Sequence, residues 1–552
     1  MALPPRALAP AALAAALALL DASLSFHNVW PTPAIAWRGE LSAELAGLLL
    51  ILAVLRRGAD RPPVRAPLLR LLAALWLLLV IGHYADVTTP ALYGRDINLY
   101  WDIRYMPDVV AMITTAVPGW VTMAVVAAAA IVIAALYAIF RWALGRVLVA
   151  MDDRRVRTVA VVASAAMLLL FAAQQATPLA PAVPEFATPV AATYARQIRL
   201  VAGAMSASRT LAPSPAMDGD LGLTRGADVF LIFIEAYGAV AYERPDIAPR
   251  LVAPRAELDA AIRDTGRRAV STFVDSPTFG GSSWLAHVSL MSGVEVRDPE
   301  TNARLMIEHR DTVVTDFARH GYRTVALMPG LRQRWPEGAF YGFDDIYGAA
   351  RLDYRGPEFG WFAIPDQFTL AKFDTLELDR APRPNLFVFY PTISTHFPFS
   401  PTPPYQPTWQ RIFDAHPWDG PAVIRAYAQQ PDWTHFAPGY GDAVAYTYAT
   451  LAGYLRKHAG RDIVFVILGD HQPAAAVSGE GASWSVPVHV VTSRTAIVDR
   501  LLARGFHVGL TPARPALCRM HALLPILVDA FGDRQPSAPS SAAERGRAAY
   551  SF

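Results

Sequence analysis

Two residue types are nearly missing from this chain of 552 residues. There is one cysteine, Cys518, which excludes a disulfide framework and a cysteine-based metal site within one chain. Lysine occurs only at Lys372 and Lys457, so arginine carries almost all the positive charge, which reads as compositional bias rather than function. An excess of either charge is also missing. The 49 basic and 47 acidic residues leave a formal net charge of +2, and no nucleic-acid partner is expected. What is abundant is apolar: 53% of residues are hydrophobic, concentrated in the first third of the chain.

Five apolar stretches precede residue 175, at 7–26, 41–55, 68–85, 109–140 and 156–173. Each is near the length that crosses a bilayer, although the second is short and the fourth is broken near Pro118-Gly119. The first lacks a clean small-residue cleavage site and is followed by further stretches, which argues against a signal peptide. Arginines cluster after the second stretch (Arg56, Arg57, Arg61, Arg65) and after the fourth (Arg141, Arg146, Arg154, Arg155, Arg157). The positive-inside rule then places the amino terminus in the cytoplasm and everything after a fifth span outside. The expectation is an N-terminal α-helical membrane bundle of about five spans in a bacterial inner membrane, with a large exported domain. The expected boundaries are 1–175 for the bundle, 176–226 for a juxtamembrane linker, 227–533 for the globular domain and 534–552 for a flexible tail.

From residue 228 short apolar runs alternate with helical patterns. Strands are expected at 229–234, 269–274, 324–328, 385–390, 462–468 and 486–491. Helices are expected near 253–268, 283–291, 312–320 and 440–458. Such alternation predicts an α/β domain with a largely parallel sheet, whose ligands gather at the carboxyl ends of the strands. Those ends are chemically rich. The first runs into Glu235-Ala-Tyr-Gly238, a carboxylate that is costly after six apolar residues unless it is paired or binds a metal. Another runs into Gly469-Asp470-His471, a pair suited to Zn or Mn. A third leads to Thr392-Ile-Ser-Thr-His396. The run 269–274 leads through Gly280-Gly281 to Ser282 and Ser283, which open a helix. A hydroxyl there, among unpaired amides, is either a simple cap or a nucleophile toward phosphate or sulfate.

Together these motifs resemble the alkaline phosphatase superfamily, in its membrane-anchored sulfatase-like branch of lipoteichoic acid synthases, phosphoglycerol transferases and phosphoethanolamine transferases. The resemblance covers roughly residues 228–531, and in the membrane part it rests on span count alone. It implies that Glu235, Asp470 and His471 are metal ligands for one divalent ion, Zn or Mn. The serine after Gly-Gly would be nucleophile and fourth ligand. A Ser/Thr-Gly pair about ten residues beyond the nucleophile is common in the branch, and counting back from Ser292-Gly293 gives Ser283, with Ser282 as the second candidate. His396 resembles the substrate-side histidine, and Arg332, Arg334 and Trp335 resemble a headgroup-contact region. Phe362-Ala-Ile-Pro-Asp366 resembles a recurrent structural motif. His287, one turn beyond Ser283, faces the same site or packs in the core. Cys-x-Pro-Ser-Arg is absent, which argues against formylglycine chemistry. The implied activity is transfer of a phospho-alcohol headgroup from a membrane phospholipid donor to an envelope glycan or lipid acceptor through a phospho-serine. The alternatives are an exported phosphodiesterase or sulfatase-like hydrolase and a non-catalytic scaffold. The insertion 399–438, rich in Pro and aromatic residues, is expected to shape the acceptor site.

Overall fold

The computed structural model describes residues 5–56, 66–99, 102–103, 106, 110, 119–176, 184–205, 211–333, 335–432 and 434–533. Contacts divide the chain into two compact units, Met1–Ser208 and Arg209–Phe552.

The first unit contains α1 (Pro5–Ala22), a short hairpin of β1 (Phe26–Asn28) and β2 (Ile35–Trp37), α2 (Ala43–Leu55), α3 (Ala66–Tyr93), α4 (Gly119–Ala150), α5 (Arg154–Ala176) and α6 (Val190–Met205). Helices α1 and α3 pack on α4, and α2 packs on α5. Among the described residues, three helices are long and apolar enough to cross a membrane: α3, α4 and α5. Three of the five expected spans meet that measure. The apolar part of α1 is Pro10–Ala22, and α2 has 13 residues. At 1.5 Å per residue α2 extends about 20 Å, short of a hydrocarbon core of about 30 Å. Only 6% of the most apolar window of α4 is buried, so its side chains present a greasy outer surface that water does not favour. The break expected near Pro118-Gly119 falls partly outside the described residues; the helix resumes at Gly119. Helix α6 is held against the end of α3: Tyr194 donates to the Leu78 carbonyl (2.6 Å), and Arg196 pairs with Asp86 (2.5 Å) and Asp96 (3.0 Å).

The second unit is built on a nine-stranded sheet. Its strands are β3 (Asp228–Ile234), β4 (Arg268–Asp275), β5 (Arg323–Met328), β6 (Asp345–Gly348), β7 (Leu386–Pro391), β8 (Ile463–Gly469), β9 (Ser485–Thr492), β10 (His507–Val508) and β11 (Cys518–Arg519). The spatial order is β10-β4-β9-β8-β3-β7-β5-β6, with β11 beside β4. The central strands read as unbroken apolar runs because both faces are covered. Phe230, Ile232 and Ile234 of β3 face one hydrophobic cluster, and Val229, Leu231 and Phe233 face the other. The first cluster is capped by α7 (Val252–Asp264) and the long helix α10 (Ala437–Lys457). The second is capped by α8 (Ser283–Ser292), α11 (Thr495–Ala503) and α12 (Met520–Phe531). Helix α9 (Asp366–Phe373) contributes Phe368, Leu370 and Phe373 to the first.

The sheet is mixed and mostly parallel rather than uniformly parallel. Strand β9 runs antiparallel to both β8 and β4. The chain returns from β8 through residues 470–484 with one four-residue helix, and β9 comes back in the opposite direction. His489, in β9, is buried, and its Nδ1 lies 2.6 Å from the Ser271 hydroxyl, beside the hydroxyls of Tyr237 and Tyr242.

At the amino ends of the central strands, Arg383 makes a two-pronged ion pair with Asp228, both contacts 2.7 Å, and Asp228 also accepts the Leu386 amide. This staples β3 to β7. Removing one partner of a mostly buried pair leaves a carboxylate uncompensated, at a cost of about 3 kcal/mol. Arg383→Ala is expected to lower the thermal midpoint of the detergent-solubilised protein by about 6 °C. Divalent-metal binding at the opposite strand ends should be unchanged.

Candidate active site

The parallel strands β8, β3 and β7 are neighbours, so their carboxyl ends open onto one edge. The residue after β3 is Glu235, those after β8 are Asp470 and His471, and the loop after β7 carries His396. Strand β4 is antiparallel to β9 and β9 to β8, so β4 also points its carboxyl end this way. The loop 276–282 follows it and delivers Ser283 as the first residue of α8. The turn demands left-handed backbone at three successive positions: Gly280 (φ 68°), Gly281 (φ 144°) and Ser282 (φ 61°). Glycine adopts this freely and a serine does not, so Ser282 holds strained backbone.

That turn separates the two hydroxyls. Ser283 Oγ donates to Glu235 Oε2 at 2.9 Å and lies 3.1 Å from His471 Nε2. Ser282 makes no side-chain cap, and its carbonyl accepts the Leu285 amide. The ligand atoms of Glu235, Asp470 and His471 all lie within 4.8 Å of one another. His471 Nδ1 sits 2.7 Å from the Gln472 carbonyl, which fixes its proton there and leaves Nε2 facing Glu235 and Ser283. Asp470 Oδ1 accepts the amides of Ala236 (2.8 Å) and His471 (2.6 Å), whereas its buried Oδ2 has no hydrogen-bond partner. A buried carboxyl oxygen left open beside a second carboxyl group, an imidazole nitrogen and a hydroxyl is a donor set that fits a divalent cation once its protons are displaced.

Electrostatics agree. Burial and the neighbouring charge of Glu235 push the Asp470 carboxyl well above its usual range. Burial acts against the charged form of Glu235 too, but the hydrogen bond and charge of His471, with that of His396, hold it below the usual carboxylate range. Burial disfavours imidazolium at His471, yet Asp470 and Glu235 raise it to about 9. The cluster thus retains protons at neutral pH that a divalent cation would replace.

A second layer sets the loops. Thr392 Oγ1 accepts the Glu235 amide (3.2 Å), and Thr395 Oγ1 donates to the Glu235 carbonyl (2.5 Å). Asp366, fully buried at the start of α9, accepts from Tyr390 (2.8 Å) and from the amides of Ile393 (2.9 Å) and Ser394 (3.1 Å). It thereby fixes the turn before His396, whose ring packs edge-on against Phe362 at 4.9 Å. His396 Nδ1 lies 2.7 Å from the Phe397 carbonyl. The two threonines were not singled out from sequence; their only signal is their place between a strand and a histidine.

The remaining residues read from sequence are placed around this centre. His287 is buried between the rings of Phe233 (4.6 Å) and Phe389 (5.3 Å), with Nε2 unpartnered, and burial lowers its pKa to about 3. Arg332 is exposed and donates to the Trp361 carbonyl (3.0 Å). Trp335 packs on Tyr341 at 5.4 Å, on the wall of the second hydrophobic cluster. Arg334 lies outside the described residues.

Comparison with known proteins gives one family match: residues 290–487 match the Sulfatase family model. The matched stretch contains His396, Asp470 and His471; the fold brings Glu235 and Ser283 to them. No curated protein matches the chain. Solved structures similar to it include the lipooligosaccharide phosphoethanolamine transferase A from Neisseria meningitidis, at 14% identity and TM-score 0.41, covering 81% of this chain and 80% of that one. The lipoteichoic acid synthase LtaP from Listeria monocytogenes is similar at 15% identity and TM-score 0.36, covering 51% and 69%. The periplasmic domain of EptC from Escherichia coli, in complex with Zn, is similar at 13% identity and TM-score 0.33, covering 51% and 77%.

Metal titration tests the cluster. Calorimetry with Zn or Mn should give one site in the wild type, with proton release that appears as a buffer-dependent heat. Asp470→Asn should weaken binding by about 100-fold or more. In metal-free protein the same change should not lower the melting point at pH 7. A carboxyl whose folded pKa is raised costs stability as pH rises above its unfolded value, so the difference should fade in acid.

Proposed function

We propose, for a chain whose residues 290–487 form a sulfatase-family domain, that it is a metal-dependent phosphotransferase. It moves a phospho-alcohol headgroup, phosphoglycerol or phosphoethanolamine, from a membrane phospholipid to an envelope glycan or lipid. The observation that carries this reading is the Ser283 hydroxyl, held between Glu235 and His471 at a helix amino terminus. The helices long and apolar enough to cross a membrane favour a lipid donor over a soluble one.

Glu235, Asp470, His471 and Ser283 would hold one divalent ion, Zn or Mn, which when bound lowers the pKa of a hydroxyl and offsets charge on a phosphoryl oxygen. Ser283 Oγ releases its proton to solvent and attacks phosphorus, while the bond from phosphorus to the diacylglycerol oxygen breaks. His396 protonates the departing alkoxide. The amino terminus of α8 receives the equatorial oxygens. In the second half the acceptor hydroxyl gives its proton to His396 and bonds to phosphorus. The bond from phosphorus to the Ser283 oxygen then breaks and that oxygen takes a proton from solvent, which restores the enzyme. Arg332, Arg334 and Trp335 are assigned to headgroup contact, and His287 to the wall behind Ser283. The arginine distribution supports a cytoplasmic amino terminus and an exported catalytic unit in a bacterial inner membrane.

Detergent-solubilised protein given acyl-labelled phosphatidylglycerol or phosphatidylethanolamine with Zn or Mn should release diacylglycerol. Ser283→Ala should reduce the rate by roughly a thousandfold or more, and Ser282→Ala by far less. Release of diacylglycerol with water as sole acceptor, even when envelope glycans are supplied, would replace the transferase with a hydrolase. Metal binding without any ester cleavage would remove the catalytic reading.

A further inference from the structure

A groove of about 820 Å³ opens beside the Ser283 cluster, at the same edge of the sheet. Asp275, Arg297, Ser483, Trp484, Arg514 and Arg519 line it. Ser276 joins it to the cluster. Its amide donates to the Trp484 carbonyl (2.9 Å), and its hydroxyl donates to the carbonyl of Asp470 (2.6 Å). Phe279, buried four positions before Ser283, packs against Trp484 at 5.6 Å. The groove and the Ser283 hydroxyl therefore share one loop.

Three arginines and one carboxylate, Asp275, line it. Arg297 Nε and Arg519 Nη1 bind the two oxygens of a single carboxylate, Glu295, at 2.7 and 2.9 Å. Two guanidinium groups on one carboxylate leave a net positive charge, with further N–H donors on side chains that are 48% and 61% exposed. The rest of the lining includes Arg514 and the carboxylate of Asp275. Arg514 is held by both oxygens of Glu243 (2.7 and 2.8 Å) and by Ser483 and Ser485 (2.7 and 2.6 Å). Asp275 accepts from Ser485 (2.7 Å). The indole of Trp484 also lines the groove, with the Arg297 guanidinium 5.8 Å from its ring centroid. A cationic end, fixed donors and acceptors for hydroxyls, and an aromatic surface are together the recognition chemistry of a charged sugar.

We infer that this groove binds the acceptor, a saccharide carrying a phosphate or carboxylate group, with the anion on Arg297 and Arg519 and the ring on Trp484. The acceptor role rests on the transferase reading; binding of the sugar does not.

The test uses the full chain carrying Ser283→Ala, so that no turnover occurs, in detergent, with saturation-transfer NMR and calorimetry. The probes are glucose 6-phosphate, glucuronate, glucose and inorganic phosphate. The expected result is binding of the two charged sugars, with glucose and inorganic phosphate weaker by about tenfold or more. R297E/R519E should cost at least about tenfold, and R297K/R519K, which keeps the charge, clearly less. Arg355→Glu, at an exposed pair with Asp353, should change nothing and controls for bulk charge. Equal binding of glucose, or binding unaffected by charge reversal, overturns the inference. Inorganic phosphate binding as tightly as glucose 6-phosphate overturns it in favour of a plain anion site. Failure of diacylglycerol release in the wild type would remove the acceptor role while leaving sugar binding standing. Diacylglycerol release without any sugar binding would remove the groove alone.

Discussion

The second unit is arranged around one electrostatic debt: two carboxylates buried side by side at the ends of apolar strands. An isolated buried charge costs several kcal/mol, and two of like sign cost more. His471 offsets part of this by staying protonated to about 9 between Asp470 and Glu235, but Asp470 Oδ2 remains without a partner. Folding holds the pair because the surrounding backbone is over-determined. Ala236 adopts φ 53°, left-handed for a residue with a Cβ, and in that conformation its amide meets Asp470 Oδ1. Gly469 lies so close to the Tyr237 carbonyl that a Cβ would sit 1.7 Å from the oxygen. The strain at Ala236 is the cost of holding the two carboxyl groups side by side at the strand ends.

The same logic extends outward to residues that touch no ligand atom of the cluster. Thr392 and Thr395 hold the backbone of Glu235, so the first carboxylate is placed from β7 as well as from its own strand. Asp366 organises the turn that carries His396 through three donors, and burial raises its carboxyl pKa despite them. It is a positioning residue. The sequence resemblance at Phe362–Asp366 thus has a physical meaning: Phe362 supports the His396 ring and Asp366 fixes the turn before it.

How far the sequence could be read follows from what each signal encodes. Six strands were legible because burial on both faces turns them into continuous apolar runs, and Glu235 and Asp470-His471 were legible as candidates because each ends such a run with a charge. Strands β6, β10 and β11 have two to four residues and lie toward the edges, where no apolar run marks them. Three of the expected spans are legible as long apolar helices, whereas α2 is as apolar but, at 13 residues, short. The choice between Ser282 and Ser283 depended on a motif count in sequence. In the structure a left-handed residue separates the two, and only Ser283 faces Glu235 and His471. His287 illustrates the limit, since helical spacing puts it one turn from Ser283 but cannot say that Phe233 and Phe389 enclose it.

Strand direction was the feature least accessible to pattern, because an apolar run reads the same from either end. It has a chemical consequence. Had β9 been parallel to β8, its carboxyl end would meet the catalytic edge and Ser483-Trp484-Ser485 would lie at the far side of the sheet. Reversed, β9 brings its amino end to that edge, with Ser485 paired opposite Asp275. Trp484 then stands over the loop that carries Ser283, and Arg514 reaches Ser483 and Ser485 from the segment before β11. The one antiparallel strand inside an otherwise parallel core therefore converts a plain sheet edge into a groove. It places Trp484 and Arg514 next to the loop that carries Ser283 without adding a domain.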